Sequence, residues 1–236
     1  MSNGKNFNLF LMDGDVTGRI KCTLSNWTGL AYKIPRSHLD KCKERQDLKQ
    51  SGVYFLFGKN NQDEEQVYIG QADSRNNGNG VLSRIIEHLK DVEYFSDVII
   101  LTTQNNSFGK TEISYLENRF TSLAIDNARY TVINKNTPNG SNVTEEKESE
   151  LEDFIEYSKM ILGVLGYKIF IPLIKKQLEI QSNKDQEELM LYISAKRKGT
   201  DKPTKGQCKR TNEGFVVLAG SMIEENYTES TRNSVR

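Results

Sequence analysis

The chain has 236 residues, of which 36% are hydrophobic and 27% charged, and its 32 basic and 32 acidic residues give a formal net charge of zero. These values are typical of a globular protein with a real core, and they exclude a fibrous or largely disordered chain. No apolar run approaches the ~18 residues of a membrane-spanning helix, and residues 1–8 lack the apolar segment of a signal peptide. We therefore expect a cytoplasmic protein without a membrane partner.

The three cysteines, Cys22, Cys42 and Cys208, lie far apart in the sequence. They form neither a CxxC motif nor a Cys/His spacing typical of structural zinc sites. We expect reduced thiols rather than a zinc site or a disulfide framework.

Charge is unevenly distributed along the chain. Residues 196–210 hold seven Lys or Arg against Asp201, whereas residues 145–156 hold seven acids against Lys147. Such segregation would let one surface hold a phosphate backbone although the total charge is zero. A solvated loop and a solvated helix face would explain the same counts, so charge alone leaves both interpretations open.

The first 50 residues predict a small antiparallel β-appendage followed by a helix. Strand-like segments at 7–12, 19–24 and 29–34 are separated by short polar turns, the first of them Asp13-Gly14-Asp15. Residues 37–49 are polar and helix-prone.

Residues 51–136 predict a β-β-α-β-α unit. Its elements are strands at 53–57 and 67–69, a helix at 81–90, a strand at 97–102 and a helix at 110–125. This order predicts the α/β (α+β) class, with a small mixed three-stranded sheet flanked by helices.

The remainder of the chain predicts a connector with an amphipathic helix (137–187) and a small C-terminal α+β region (188–236). Apolar residues recur at helical spacing over 147–165, and packing on its own domain is the favoured interpretation over partner binding. Strand-like runs at 189–194 and 214–219 are separated by the basic segment 196–210, which we expect to be a loop.

Two predicted helices carry the residues with candidate chemistry. Arg84 and His88, four residues apart, share the edge of the first helix, where this pair by itself would be ordinary surface charge. Glu117 falls inside the apolar stripe of the second helix, which is costly unless the carboxylate is paired, protonated or bound to a cation. Lys110, two turns earlier, is a candidate neighbour, and a buried ion pair with Arg84 would be a purely structural explanation.

The predicted hairpin adds two tyrosines beside glycines. Gly52-Val53-Tyr54 opens its first strand and Tyr68-Ile69-Gly70 closes its second. A strand tyrosine is usually a core residue, so the combination with Arg84, His88 and Glu117 is what carries information.

From Gly52 to Asn136 the chain resembles the GIY-YIG nuclease family. The two tyrosine segments match its two eponymous motifs, with Val53 as a conservative replacement, and Arg84, His88 and Glu117 follow in the family's order. The hairpin connection and the loop between residues 70 and 84 are longer than the family's shortest forms. The asparagine expected after the second helix is best matched by Asn134, with Asn136 second.

A second resemblance concerns residues 214–221. Gly214 to Leu218 followed by Gly220-Ser221 looks like a small C-terminal domain of unknown function that often follows GIY-YIG domains in bacterial proteins, and we expect a shortened form of that domain here.

The resemblance implies a metal-dependent endonuclease, a hydrolase of phosphodiester bonds that acts on DNA in preference to RNA. It implies that Glu117 binds Mg²⁺ or Mn²⁺, that Arg84 holds the phosphate, and that Tyr54 acts as general base with His88 as proton relay while Tyr68 orients the water. The predicted nucleic-acid contacts are Lys110, Lys196, Arg197, Lys198, Lys202, Lys205, Lys209 and Arg210.

Two other functions remain open at this stage. One is a non-cleaving nucleic-acid-binding module that keeps the same scaffold. The other is a structural or interaction protein in which the 147–165 helix binds a partner and Arg84 and Glu117 form a plain ion pair.

Overall fold

The computed structural model describes residues 4–74, 80–88, 95–134, 142–172, 190–195, 204–211 and 214–221. The chain divides into two compact units, Met1–Leu173 and Ile174–Arg236, and each is described by itself. Across the described ranges, no helix has the length and apolar character needed to cross a membrane.

A seven-stranded sheet forms the first unit. Its strands are β1 (Phe7–Leu11), β2 (Ile20–Leu24), β3 (Gly29–Pro35), β4 (Gly52–Lys59), β5 (Glu65–Ala72), β6 (Phe95–Thr103) and β7 (Thr131–Val132). The helices are α1 (Val81–His88), α2 (Lys110–Asn127) and α3 (Glu145–Val164), and residues 36–42 and 46–48 form two 3₁₀ helices where the sequence predicted one helix over 37–49.

The strand order is β1-β2-β3-β6-β4-β5-β7, and all neighbours are antiparallel except β5 and β7. The α+β class is therefore confirmed, but the prediction of a three-stranded sheet is wrong. β3 pairs with β6 along its whole length, from Gly29 opposite Thr103 to Pro35 opposite Asp97. This pairing satisfies the backbone groups of β6 that a three-stranded sheet would leave open, and it makes β1 to β3 part of the main sheet rather than an appendage.

Strand β4, between β6 and β5, is buried from Gly52 to Gly58 because helices cover both faces of the sheet. Phe55 and Phe57 face α2 and α3, whereas Tyr54 and Leu56 face α1 and the 3₁₀ helices. Burial on both faces explains the continuous apolar run in the sequence of β4. It also places Tyr54 beneath α1.

The apolar stripe of α3 packs on its own unit, which confirms the favoured interpretation. Leu151, Phe154 and Ile161 belong to the core that α2 shares. The acidic face is partly used in the same contact, because Glu152 accepts hydrogen bonds from Tyr115 Oη at 2.8 Å and Arg119 Nε at 2.6 Å, both on α2.

The second unit contains an antiparallel sheet of β8 (Met190–Ala195), β9 (Thr204–Thr211) and β10 (Gly214–Val217), with β9 in the centre. The prediction of a basic loop over 196–210 is wrong for 204–210, because Lys205, Lys209 and Arg210 belong to β9. The lysine and glycine content of this segment is typical of a loop, and the pairing partners on both sides override that local preference.

Candidate active site

The two tyrosines meet across the β4–β5 hairpin, over a glycine. Tyr54 lies directly opposite Gly70 in the strand register. A Cβ atom on Gly70 would stand 2.5 Å from the Tyr54 hydroxyl and 2.8 Å from Cε1 of Tyr68, closer than non-bonded atoms approach. The absence of a side chain at residue 70 therefore leaves room for both phenol rings.

His88 completes a cluster of three rings. The ring centroids are 6.2 Å apart for Tyr54 and Tyr68, 6.1 Å for Tyr54 and His88, and 5.2 Å for Tyr68 and His88. Tyr54 is only 1% exposed, whereas Tyr68 and His88 are half-buried at the rim. One phenol thus lies inside and two rings border the solvent.

Arg84 lies one turn before His88 on α1. It is exposed, and its Nη1 donates a hydrogen bond to Glu87 Oε2 at 3.0 Å. The guanidinium also acts electrostatically on both phenols, where its positive charge favours the phenolate form. The proposed structural pair of Arg84 with Glu117 is not formed, since each has a different partner.

Glu117 reaches the site from α2 and is held by a strand residue that the sequence analysis missed. Its Oε2 accepts a hydrogen bond from Gln71 Nε2 at 2.9 Å. The same amide nitrogen lies 3.0 Å from Ser114 Oγ, and Ser114 Oγ donates to Gln71 Oε1 at 3.2 Å. Gln71 and Ser114 therefore form a bracket that fixes one carboxylate oxygen of Glu117.

The sequence indicates only weakly that Gln71 and Ser114 would form this bracket around Glu117. Ser114 lies three residues before Glu117, on the same helix face, and Gln71 directly follows Gly70. Polar residues at both places are unusual for a strand and helix that face each other, but only the strand-to-helix packing shows that they meet.

Burial dominates the electrostatics of Glu117. Loss of water raises the pKa of its carboxyl to about 7, and the hydrogen bond from Gln71 opposes that rise. Among the described residues no cationic side chain pairs with this carboxylate. A half-buried carboxylate without a counter-charge is a natural place for a cation.

Burial also raises the pKa of Tyr54, and the charge of Glu117 adds to that rise while Arg84 lowers it. The pKa of Tyr68 is raised for the same reasons, with burial again the largest. Both phenols are therefore hydrogen-bond donors at neutral pH. Glu117 and Arg84 each act on both rings, so these four residues form one electrostatic unit.

Asn134 supports the site without joining the ring cluster. Its Oδ1 accepts from the backbone N–H of Ile69 at 3.0 Å, and its Nδ2 donates to the carbonyl of Ile69 at 2.6 Å. The side chain thus extends the pairing of β7 along β5, at the centre of the Tyr68-Ile69-Gly70 segment. Asn136 lies outside the described residues.

The expected nucleic-acid contacts are distributed over both units. Lys110 is the first residue of α2 and is exposed. Lys205, Lys209 and Arg210 lie on β9, and Lys196, Arg197, Lys198 and Lys202 fall outside the described residues.

The donor set suits a metal that needs few protein ligands. Within the described ranges, no group of three or more His, Cys, Asp or Glu side chains could hold an ion. Mg²⁺ usually keeps several waters and binds through one or two carboxylates together with substrate phosphate oxygens. Glu117, a carboxylate that lacks a counter-charge, fits this single-carboxylate mode.

No family model, no curated protein and no solved structure matches the chain. A functional assignment therefore depends on the geometry of the site.

Proposed function

We propose that this chain is a metal-dependent endonuclease that hydrolyses DNA phosphodiester bonds through a GIY-YIG-type site. The observation that carries the proposal is one cluster built from two strands and two helices. The rings of Tyr54, Tyr68 and His88 lie together, and Arg84 and Glu117 act electrostatically on both phenols. A core tyrosine pair would explain the rings alone. It does not explain a carboxylate without a counter-charge beside them.

In this proposal Glu117 holds Mg²⁺ or Mn²⁺ together with water and the substrate phosphate. The cation supplies Lewis-acid polarisation of the phosphate and neutralises developing charge. Gln71 and Ser114 orient Glu117, because the hydrogen bond from Gln71 holds Oε2 of the carboxylate.

Arg84 binds a non-bridging phosphate oxygen. Its guanidinium is exposed and next to both phenols, and the planar donor fork suits a phosphate. Its partner Glu87 is an exposed side chain, so the substrate phosphate competes with a weak surface pair.

The attacking water lies against the tyrosine pair. Tyr68 orients it through its hydroxyl. Tyr54 accepts the water's proton after its own phenol proton has passed to His88, whose ring lies beside both tyrosines. Burial works against proton removal from Tyr54, so this role depends on positive charge nearby. Arg84 already acts in that direction.

A non-cleaving nucleic-acid-binding module is the second candidate. The raised pKa of the buried Tyr54 phenol and the existing pair of Arg84 with Glu87 favour it. In that case the site would be a scaffold whose exposed cation contacts phosphate without activating water.

A Mn²⁺ titration monitored by electron paramagnetic resonance tests the proposal, with a short uncleavable phosphorothioate duplex present. We expect the wild type to bind Mn²⁺ and Glu117→Gln to lose that binding. Asp153→Asn, an exposed acid on α3, makes a comparable change and should keep it. Equal Mn²⁺ binding by wild type and E117Q contradicts the assignment of Glu117, and DNA binding without Mn²⁺ binding favours the non-cleaving module.

A further inference from the structure

The sheet of β8, β9 and β10 has two chemically different faces. Residues directly opposite each other in an antiparallel pair share a face, and successive residues alternate. Tyr192 lies opposite Gln207, and Lys209 lies opposite Val216. Tyr192, Lys205, Gln207 and Lys209 therefore occupy one face, which we term the Tyr192 face.

The opposite face is mostly apolar and carries one cation, Arg210, which lies opposite Phe215. Val217 lies opposite Cys208, which in turn lies opposite Leu191, and Phe215 belongs to the same face. On the paired strands β8 and β9, Cys208 is buried and Leu191 is half-buried, whereas Tyr192, Lys205 and Gln207 are exposed. The Tyr192 face is therefore the more exposed side of this strand pair, and on the opposite face the exposed residues lie on the edge strand β10.

The charged residues in the strands of this sheet are all basic. The described residues of the unit, 190–195, 204–211 and 214–221, include the cations Lys205, Lys209 and Arg210 and no carboxylate. Two of these cations belong to the Tyr192 face. Such a face complements a polyanion, and the described part of the sheet offers no acid to neutralise it.

A large aromatic side chain is unusual on a solvent-exposed face, and that of Tyr192 is 72% exposed. Lys205 lies two residues before Gln207, so the register places it about 7 Å along the strand from the position opposite Tyr192, and its side chain is exposed. An exposed ring beside an exposed cation is the arrangement by which proteins stack an unpaired base and hold a flanking phosphate.

We propose that the Tyr192 face binds single-stranded nucleic acid, with a base stacked on the ring of Tyr192 and a neighbouring phosphate on Lys205. The occupant is single-stranded because only an unpaired base presents its flat face to a ring. This inference goes beyond the proposed cleavage activity and does not require it, since the face belongs to the second unit and uses neither Glu117 nor a metal.

Fluorescence anisotropy of the full chain tests the proposal, with a labelled thymidine oligonucleotide and a duplex of equal length as probes and EDTA present. We expect tighter binding of the single strand. Tyr192→Leu should weaken it about fivefold to 150-fold, the range measured for loss of one stacked base. Tyr192→Phe should retain the affinity because it retains the ring.

Phe215→Leu is the matched control, because Phe215 is 64% exposed on the opposite face of the same sheet. We expect its affinity to equal that of the wild type. Lys205→Gln should reduce the slope of log affinity against log salt by about 0.7, the contribution of one phosphate on a single strand. Wild-type affinity in Tyr192→Leu, or equal losses in Tyr192→Leu and Phe215→Leu, would overturn the proposal.

The two proposals fail separately in these experiments. A chain that binds the oligonucleotide through Tyr192 but neither binds Mn²⁺ nor cuts DNA refutes the endonuclease alone. A chain that cuts DNA while Tyr192→Leu binds like the wild type refutes the Tyr192 face alone.

Discussion

Replacement of Gly70 by alanine should destabilise the protein and displace both tyrosines of the site. The added Cβ would lie 2.5 Å from Cζ and from the hydroxyl of Tyr54 and 2.8 Å from Cε1 of Tyr68. Tyr54 is fully buried, so its ring has little space into which it can move. Overpacking of this kind costs about 1–3 kcal/mol, and alanine in a strand recovers about 0.5–1 kcal/mol relative to glycine, which leaves a net loss of about 0–2.5 kcal/mol.

Urea unfolding measures this loss, with Gly163→Ala as the matched control. A Cβ at Gly163, on α3, has no neighbour within 4 Å, so the same substitution there should raise the free energy of unfolding by about 0.5–1 kcal/mol. In a Tyr54→Leu background the two 2.5 Å contacts are absent, and Gly70→Ala should cost about 1 kcal/mol less. If Gly70→Ala stabilises the wild-type protein as Gly163→Ala does, the close approach of Tyr54 to Gly70 is refuted.

Other predictions concern hydrogen bonds and pH. Gln71→Ala removes the donor to Glu117, so the Mn²⁺ concentration for half-maximal binding should rise about tenfold, whereas unchanged binding would contradict the bracket. Because the pKa of Glu117 is raised, the folded state holds more protons than the unfolded state between about pH 4.5 and 7. Without metal, the free energy of unfolding should therefore fall as pH rises through that window. Urea unfolding at about pH 5 and at about pH 8 should show a smaller fall for Glu117→Gln than for the wild type. Asn134→Leu leaves both backbone groups of Ile69 without this partner and should cost about 1–3 kcal/mol in urea unfolding, and a neutral result would refute its supporting role. Tyr32→Phe removes a buried hydroxyl that donates to Asp47 and should cost about 1–2 kcal/mol in the same assay, a loss that unchanged stability would contradict.

The sequence predicted well the parts of the fold that depend on local pattern. The hairpin of β4 and β5, helix α1 and helix α2 lie close to their expected positions, because each is specified by residues near one another in the chain. Glu117 was singled out by its place in an apolar stripe, and the structure confirms that it is half-buried there.

The pairing of β3 with β6 could not be predicted from local pattern. These strands are far apart in the chain, and alternation within each strand does not specify which edge it joins. The sequence therefore predicted a separate appendage where the molecule has one continuous sheet.

Two further features required tertiary contacts. The Gln71–Ser114 bracket exists because a strand face and a helix face meet, and neither segment carries that information alone. β9 has a composition typical of a loop, and its pairing with β8 and β10 makes it the central strand.

Nicking of supercoiled plasmid DNA with Mg²⁺ or Mn²⁺ tests the central claim most directly, in a comparison of the wild type, Glu117→Gln and Asp153→Asn prepared identically. We expect the wild type and Asp153→Asn to convert supercoiled to nicked or linear DNA, while Glu117→Gln retards the plasmid in a gel without cutting it. Equal cutting by wild type and Glu117→Gln, or no cutting by any protein with either metal, would contradict the account.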